Sequence, residues 1–322
     1  MEFDLEYEIA KDCYRNGRYE EAIKFLLKPA QEGNLDAGND IGVCYERIGD
    51  YEKAAFWYSV AGVGEKATPN LNVANLYLSG KGLSQDIELA IKIYLNYAQK
   101  GYASAYEKLG DTYLKGKYVK QDYKKAYAYL LKGAKIEREK KDSAYCLGNL
   151  GYINHEGIGK AKNEKLAIKY YKEAAELGNE IAQYNLGQCY LYGQGCKEDI
   201  AKAIYWFTQS AQQYYDNAMI KLSELYAWGT VVKKNKDIAM YWINKAIDNN
   251  APVAFIKCAE YYLDGDLIEK DYYEAYKLLS YYRKNLLGNN QEADKLYDEL
   301  KSNHIDEKFW RKVEHDEKGA TA

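Results

Sequence analysis

Few residues in this sequence have the types and spacing that enzyme chemistry needs. The histidines are His155, His304 and His315, and two of them lie near the end of the chain, so we expect no histidine-based metal site. His155-Glu156-Gly157 begins like the zinc-hydrolase motif H-E-x-x-H but lacks its second histidine. The sequence also contains no G-x-S-x-G nucleophile elbow. We therefore expect no enzyme, no catalytic residues, no metal and no cofactor.

Glycine-rich segments are similar to phosphate-binding loops in composition only. Gly80-Lys81-Gly82 and Gly157-Ile158-Gly159-Lys160 lack the full G-x-x-x-x-G-K-[ST] spacing, and no strand precedes them. Six segments of this kind recur along the chain, so we interpret them as turns between helices.

The cysteines show no C-x-x-C pair and no regular spacing. This pattern is typical of reduced thiols in a cytosolic protein. An exported protein would leave open a bridge between Cys189 and Cys196, which lie seven residues apart. The six are Cys13, Cys44, Cys146, Cys189, Cys196 and Cys258.

Composition and charge exclude several classes of protein. The 322 residues include 45 Lys or Arg and 48 Asp or Glu, a net charge of −3, which lacks the basic surface of a nucleic-acid-binding protein. The acidic start, Met1 to Glu6, is unlike a secretory signal. No apolar run approaches the roughly 20 residues of a membrane span. We therefore expect a cytoplasmic protein with no nucleic-acid partner and no membrane insertion.

An internal repeat organises the elements that would position any functional residue. One series of alanines recurs at spacings of 32, 36, 36, 41, 36, 36 and 36 residues; it consists of Ala22, Ala54, Ala90, Ala126, Ala167, Ala203, Ala239 and Ala275. A second series, which we call the anchors, keeps step with it and always precedes a small residue; it consists of Ile9, Ile41, Val73, Leu109, Leu150, Leu186, Leu222 and Cys258.

Each copy is predicted to form two antiparallel helices. In six copies a glycine seven residues after the anchor would end the first helix in a left-handed conformation; these are Gly80, Gly116, Gly157, Gly193, Gly229 and Gly265. Four residues before seven of the eight alanines stands an N-cap residue for the second helix: Asp50, Asp86, Asp122, Asn163, Asp199, Asn235 or Asp271. Apolar or aromatic pairs three and four residues after the alanine complete an amphipathic stripe.

Two of these copies allow the pattern to be compared with known repeats. "LGQCYLYGQGCKEDIAKAIYWFTQSA" (Leu186 to Ala211) and "LGYINHEGIGKAKNEKLAIKYYKEAAELG" (Leu150 to Gly178) resemble Sel-one-like repeats (SLR). The first two copies, with "NGRYEEAI" and "IGDYEKAA", are more similar to the related tetratricopeptide repeat (TPR). The resemblance implies an all-α, right-handed α-solenoid of antiparallel helix pairs, with two TPR-like and six SLR-type repeats.

The resemblance also implies how the chain is divided. The solenoid would occupy residues 1–285, with repeats at about 4–34, 35–67, 68–102, 103–140, 143–179, 180–215, 216–250 and 251–285. Residues 286–322 would form a C-terminal helical cap and tail, with helices over 289–301 and 306–317, because a solenoid needs a polar cover on its last apolar face.

In both families the first helix of each copy lines a concave groove, so the resemblance implies a binding face there. The later copies would present Tyr145, Tyr152, His155, Tyr184, Gln188, Tyr192, Ile220, Glu224, Trp228, Ile256 and Glu260. The earlier copies would present a more polar set, Asn39, Asn75, Glu107, Asp111 and Lys115. Tyrosine and tryptophan have few torsions to freeze and suit the anchoring of a peptide. Glu224 and Glu260 in succession favour a basic or amide-rich ligand.

The function that this implies is a scaffold or adaptor that binds a protein or peptide segment in the groove. Because fold alone does not fix function, three alternatives stay open. Some SLR proteins are exported host-interaction or envelope adaptors. Cysteine-rich SLR proteins have been assigned β-lactam binding or hydrolysis, but they carry a regular cysteine pair in each repeat, which this chain lacks. Bacterial TPR regulators sense short peptides, but they usually add a DNA-binding helix-turn-helix.

Overall fold

The computed structural model describes residues 2–61, 71–136, 140–286 and 291–303, and within them it contains helices and no strands. The helices are α1 (Glu2–Arg15), α2 (Tyr19–Gln31), α3 (Leu35–Ile48), α4 (Tyr51–Ala61), α5 (Leu71–Ser79), α6 (Ile87–Gln99), α7 (Ala103–Lys115), α8 (Tyr123–Gly133), α9 (Lys140–Glu156), α10 (Glu164–Glu176), α11 (Glu180–Tyr192), α12 (Ile200–Gln212), α13 (Asp216–Trp228), α14 (Lys236–Asp248), α15 (Pro252–Asp264), α16 (Tyr272–Asn285) and α17 (Gln291–Asn303).

The helices pair as the repeat predicts, odd-numbered with even-numbered, and the all-α solenoid class is confirmed. The chain divides into two compact units, Met1–Ala182 and Gln183–Ala322. In the first unit, each helix from α1 to α10 packs against the next along the chain. In the second unit, the same holds from α12 to α17, and the first helices α13 and α15 also contact each other.

The predicted helix ends are confirmed in the structure. The six glycines that follow first helices have φ between 63° and 74°, a conformation that glycine adopts without a steric penalty. The predicted N-cap side chains accept hydrogen bonds from backbone amides two or three residues ahead, as Asp86 does from Leu89 at 2.9 Å and Asp199 from Lys202 at 3.0 Å. These caps fix where the second helix begins in seven copies, whereas α2 in the first copy follows Arg18 and has no side-chain cap.

Small residues after the anchors bring the two helices of a pair into close contact. A Cβ atom on Gly42 would lie 2.5 Å from the ring of Tyr58, and one on Gly187 would lie 2.7 Å from the ring of Phe207. The anchors Ile41, Leu109, Leu150, Leu186 and Leu222 are fully buried. Ile9, in the first copy, is instead exposed.

The first of the two predicted capping helices corresponds to α17. Ala293 and Leu300 on α17 are buried in one cluster with Phe255 of α15 and Leu279 of α16. Arg283 of α16 pairs with Asp294 at 3.2 Å. The helix predicted over 306–317 lies outside the described residues.

Candidate partner-binding surface

Two positions on each first helix, two and six residues after the anchor, lie one turn apart on the same helix face. In the second unit these positions are held by Gln188 and Tyr192 on α11 and by Glu224 and Trp228 on α13. We refer to these four side chains as the aromatic surface. Tyr192 is 59% exposed and Trp228 is 58% exposed. Large aromatic side chains exposed at one repeat register are available for contact with another molecule.

Tyr184 joins α11 to its neighbours beneath this surface. Its ring packs against Phe207 at 5.5 Å and against Tyr215 at 5.4 Å between centroids. Its hydroxyl accepts a hydrogen bond of 3.0 Å from the side-chain amide of Gln188. Burial, followed by the nearby Tyr215 and Glu224, raises the pKa of Tyr184 to about 12. Tyr184 is therefore uncharged at physiological pH, and its half-buried hydroxyl holds the side chain of Gln188 in place.

The two acidic residues of the predicted groove are paired within their own helices. Glu224 accepts from Lys221 at 2.9 Å, and Glu260 accepts from Lys257 at 2.9 Å. Both pairs are at least three-quarters buried, which reduces screening by water. The negative charge that favoured a basic ligand is thus compensated locally. The groups of the aromatic surface that remain available for binding are the amide of Gln188 and the exposed rings of Tyr192 and Trp228.

Ile220 and Ile256 lie in the protein interior. Their side chains are 7% and 2% exposed and belong to hydrophobic clusters of the second unit. The position two residues before the anchor therefore faces neighbouring helices instead of a ligand. Tyr184 occupies the same register and packs in the same way.

The remaining predicted residues lie on α9 in the first unit. Tyr145 and Tyr152 are exposed, whereas His155 is half-buried with its ring 6.3 Å from that of Tyr171. His155 Nε2 lies 3.6 Å from a carboxylate oxygen of Glu156.

Two predicted residues carry buried polar atoms that have no hydrogen-bond partner among the described residues. These atoms are Oε1 of Gln188 in the second unit and Nδ1 of His155 in the first unit. Buried polar atoms in folded proteins are nearly always paired. Gln188 lies one turn from Tyr192 on α11.

The polar residues predicted for the earlier copies form contacts within the protein. Asn39 accepts from Asn72 at 3.1 Å, and Asn75 accepts from the hydroxyl of Tyr94 at 2.5 Å. Asp111 pairs with Lys115 at 2.9 Å, and Glu107 lies 3.1 Å from Lys108. These contacts link or stiffen helices and leave fewer free polar groups than the sequence predicts.

Sequence reasoning missed a second set of exposed aromatics, on second helices. Tyr205 and Tyr241 are exposed, and each packs edge-on against the following residue, Trp206 or Trp242, with centroids 5.0 Å apart. Both tyrosines stand two residues after an alanine of the repeat series, a position whose periodicity could have revealed them. They provide matched controls for the aromatic surface because they are exposed to a similar degree.

Neither a metal site nor a membrane span emerges from the described part of the chain. No group of three His, Cys, Asp or Glu side chains is placed to hold a metal ion there. None of the described helices combines the length and hydropathy needed to cross a bilayer.

Family membership follows from how much of the chain matches a known repeat. The Sel1 repeat model matches residues 41–62, 70–102, 103–135, 144–179, 181–215, 216–250 and 255–281. The chain belongs to the Sel1 repeat family. Proteins of this family generally act as protein–protein interaction scaffolds and are generally not enzymes.

The chain is also similar to solved and curated proteins. A Sel1 repeat protein from Oxalobacter formigenes is 30% identical, with a TM-score of 0.54 over 75% of this chain and 98% of that one. The protective antigen c5321 of uropathogenic Escherichia coli, which has an SLR fold, is 23% identical, with a TM-score of 0.54 over 93% and 68% of the two chains. The uncharacterized protein NMB1327 of Neisseria meningitidis is 29% identical over 181 residues, or 55% of this chain. This match covers 36% of NMB1327, so the chain spans only part of that relative.

Proposed function

We propose that this Sel1 repeat protein is a scaffold that binds a segment of a partner protein on the aromatic surface. The observation that carries the proposal is the exposure of Tyr192 and Trp228 at one repeat register on successive first helices. Exposed tryptophan and tyrosine that become buried on binding contribute disproportionately to affinity. Family membership supports the scaffold role, and the exposure of the two rings supports this surface as the binding face.

The bound segment should be uncharged where it meets this surface. Lys221 already compensates Glu224, so a basic ligand gains little there. Gln188 is an uncharged amide that is half-buried beside Tyr192, which favours a segment that presents a backbone or side-chain amide. An apolar side chain of the segment would cover Trp228.

The proposal is tested by affinity purification from the native cell with two matched double variants. Tyr192→Ala with Trp228→Ala should lose the partner proteins that the wild-type chain captures. Tyr205→Ala with Tyr241→Ala removes a similar amount of exposed aromatic surface from second helices and should retain them. Retention of every partner by the first variant would overturn the proposal, provided that circular dichroism shows both variants folded.

We also infer that the chain has no catalytic activity and that it resides in the cytoplasm. The first inference is supported by the absence of a catalytic motif in the sequence. Fractionation of the native cell tests the second, and recovery of the protein outside the cytoplasm would favour an exported adaptor.

A further inference from the structure

A cavity of about 360 Å³ lies in the first unit, among α1, α2 and α3. Its apolar walls come from Ala10 on α1, Leu26 on α2, and Val43 and Cys44 on α3. Burial, with a smaller effect of Asp40, raises the pKa of the Cys44 thiol to about 11, so the thiol is neutral at physiological pH. The walls therefore form an apolar recess large enough for a bulky side chain.

The charged groups that line the recess differ in how they are engaged. Asp40 accepts a hydrogen bond from the hydroxyl of Tyr7 at 2.5 Å. Lys11 pairs with Glu8 at 2.8 Å. Arg15 forms no hydrogen bond or ion pair with any side chain that the structure describes. Because the Tyr7 hydroxyl is a neutral donor, Asp40 keeps its negative charge, and Arg15 is the lining cation that has no ion-pair partner among the described residues.

A second guanidinium group contacts one of the residues that line the recess. Arg47, at the end of α3, donates from Nε to the hydroxyl of Tyr14 at 3.2 Å, and Tyr14 lines the recess. Arg15 and Arg47 both stand six residues after their anchors, the register that holds Tyr192 and Trp228 in the second unit. The recess thus combines an apolar wall with arginine at its rim.

We propose that this recess is a second binding site, which takes a large apolar side chain of a peptide segment while Arg15 pairs with an adjacent carboxylate. Arginine favours carboxylates because its planar donors match both oxygens. The partner chemistry is therefore acidic and apolar, in contrast to the uncharged segment proposed for the aromatic surface. The site uses no residue of that surface, so either proposal can fail without the other.

The test uses the full chain and defined fluorescent peptides in an anisotropy titration. The acidic probe is Gly-Ser-Leu-Glu-Leu-Glu-Ser-Gly with an amidated C-terminus. One comparison peptide replaces both glutamates by glutamine, and another replaces both leucines by serine. A glutamine peptide with a free C-terminal carboxylate separates a chain terminus from an acidic side chain as the source of the anion.

The acidic probe should bind at least about tenfold more tightly than its amidated glutamine analogue, the ratio expected for one charge-assisted contact. The serine analogue should bind weakly because it cannot fill the recess. Arg15→Gln should remove the preference for the acidic probe. Arg18→Gln should keep it, because Arg18 is already paired with Asp12 and Glu21. Trp228→Ala should bind the acidic probe as the wild type does.

Several results would overturn the site. They are the binding of no probe, equal binding of the acidic and amidated glutamine peptides, and an unchanged preference in Arg15→Gln. Equal loss in Arg15→Gln and Arg18→Gln would show a non-specific effect of charge and would also overturn it. Tighter binding of the glutamine peptide with a free C-terminus than of the acidic probe would show that the recess binds a C-terminal carboxylate, and it would overturn the assignment to an acidic side chain.

Discussion

The recess of the first unit and the aromatic surface of the second unit use the same repeat register for different chemistry. The position six residues after the anchor is Arg15 in the first copy and Trp228 in the seventh. Both side chains stand at the end of a first helix, where the repeat geometry places them. The helix pairs thus fix where a side chain is presented, and the residue type at that position decides what it contacts.

The two regions also differ in whether their charged side chains have ion-pair partners. In the recess, the Cys44 thiol is buried and its pKa is raised to about 11, while Arg15 has no ion-pair partner among the described residues. In the second unit, Lys221 and Lys257 neutralise their glutamates in place. One region therefore offers charge and the other offers uncharged aromatic area.

The largest expected effect on partner binding comes from replacing Trp228 of the aromatic surface by arginine, the residue type found at the same register in the recess. Trp228→Arg should weaken binding of the native partner by about thirtyfold or more, because a central aromatic contributes at least about 2 kcal/mol to an interface. Titration of the purified partner measures this. Trp228→Phe should keep most of the affinity. Normal binding by Trp228→Arg would contradict the claim that the residue type at this register decides what each region binds.

A smaller effect is expected where α3 packs closely against α4. Gly42→Ala should destabilise the protein by about 2 kcal/mol, because the new methyl group would press on the ring of Tyr58. In Gly38→Ala, one turn earlier on α3, the new methyl group would make only ordinary contacts, with Ala61 at 3.5 Å and the ring of Trp57 at 4.0 Å, and the change should be neutral or stabilising. Urea unfolding compares the two variants. Equal stabilities would contradict a rigid register set by close helix contact.

Removing one lysine of the second unit should have a more modest cost. Lys221→Met leaves the largely buried Glu224 without its ion-pair partner, and we expect a loss of about 1 kcal/mol. Lys202→Met, at an exposed pair with Asp199, should change stability little. A chain of unchanged stability after Lys221→Met would mean that the charge of Glu224 needs no compensation at this surface.

The smallest effect is a pH dependence that reports on buried tyrosine. Burial raises the pKa of Tyr261 to about 12, against the opposing hydrogen bond with Ser223. Above pH 10 the unfolded chain releases this proton before the folded chain does, so the folded state loses stability as pH rises from about 10 to 12. At pH 10.5, Tyr261→Phe should recover roughly 1 kcal/mol or less of that loss relative to pH 8.

Urea unfolding at the two pH values measures the difference, and Tyr205→Phe is the control because Tyr205 is exposed. An identical pH dependence in Tyr261→Phe and the wild type would show that burial does not raise the pKa of Tyr261 in the folded protein.

Much of the fold was predictable because it depends on local rules. Asp86 and Asp199 cap helices through bonds to residues three positions ahead, and Gly193 ends α11 because of its backbone conformation. Such features repeat with the sequence period. The burial of Leu109 and Leu222 follows from the same period.

The site was predictable only in part because its properties depend on neighbouring helices. Ile220 shares a helix face with groove positions, yet packing in the second unit buries it. Glu224 is acidic in sequence, and its compensation by Lys221 depends on rotamers that the period does not specify. The recess near Arg15 requires residues from three helices to leave space between them, which no periodic pattern encodes.

The most direct test of the account is photo-crosslinking in the native cell with benzoylphenylalanine at four single positions. Positions 192 and 228 lie on the aromatic surface, and positions 205 and 241 are exposed controls on second helices. We expect positions 192 and 228 to crosslink to the same partner protein, and positions 205 and 241 not to do so. Adducts with that partner from 205 and 241 alone would contradict it.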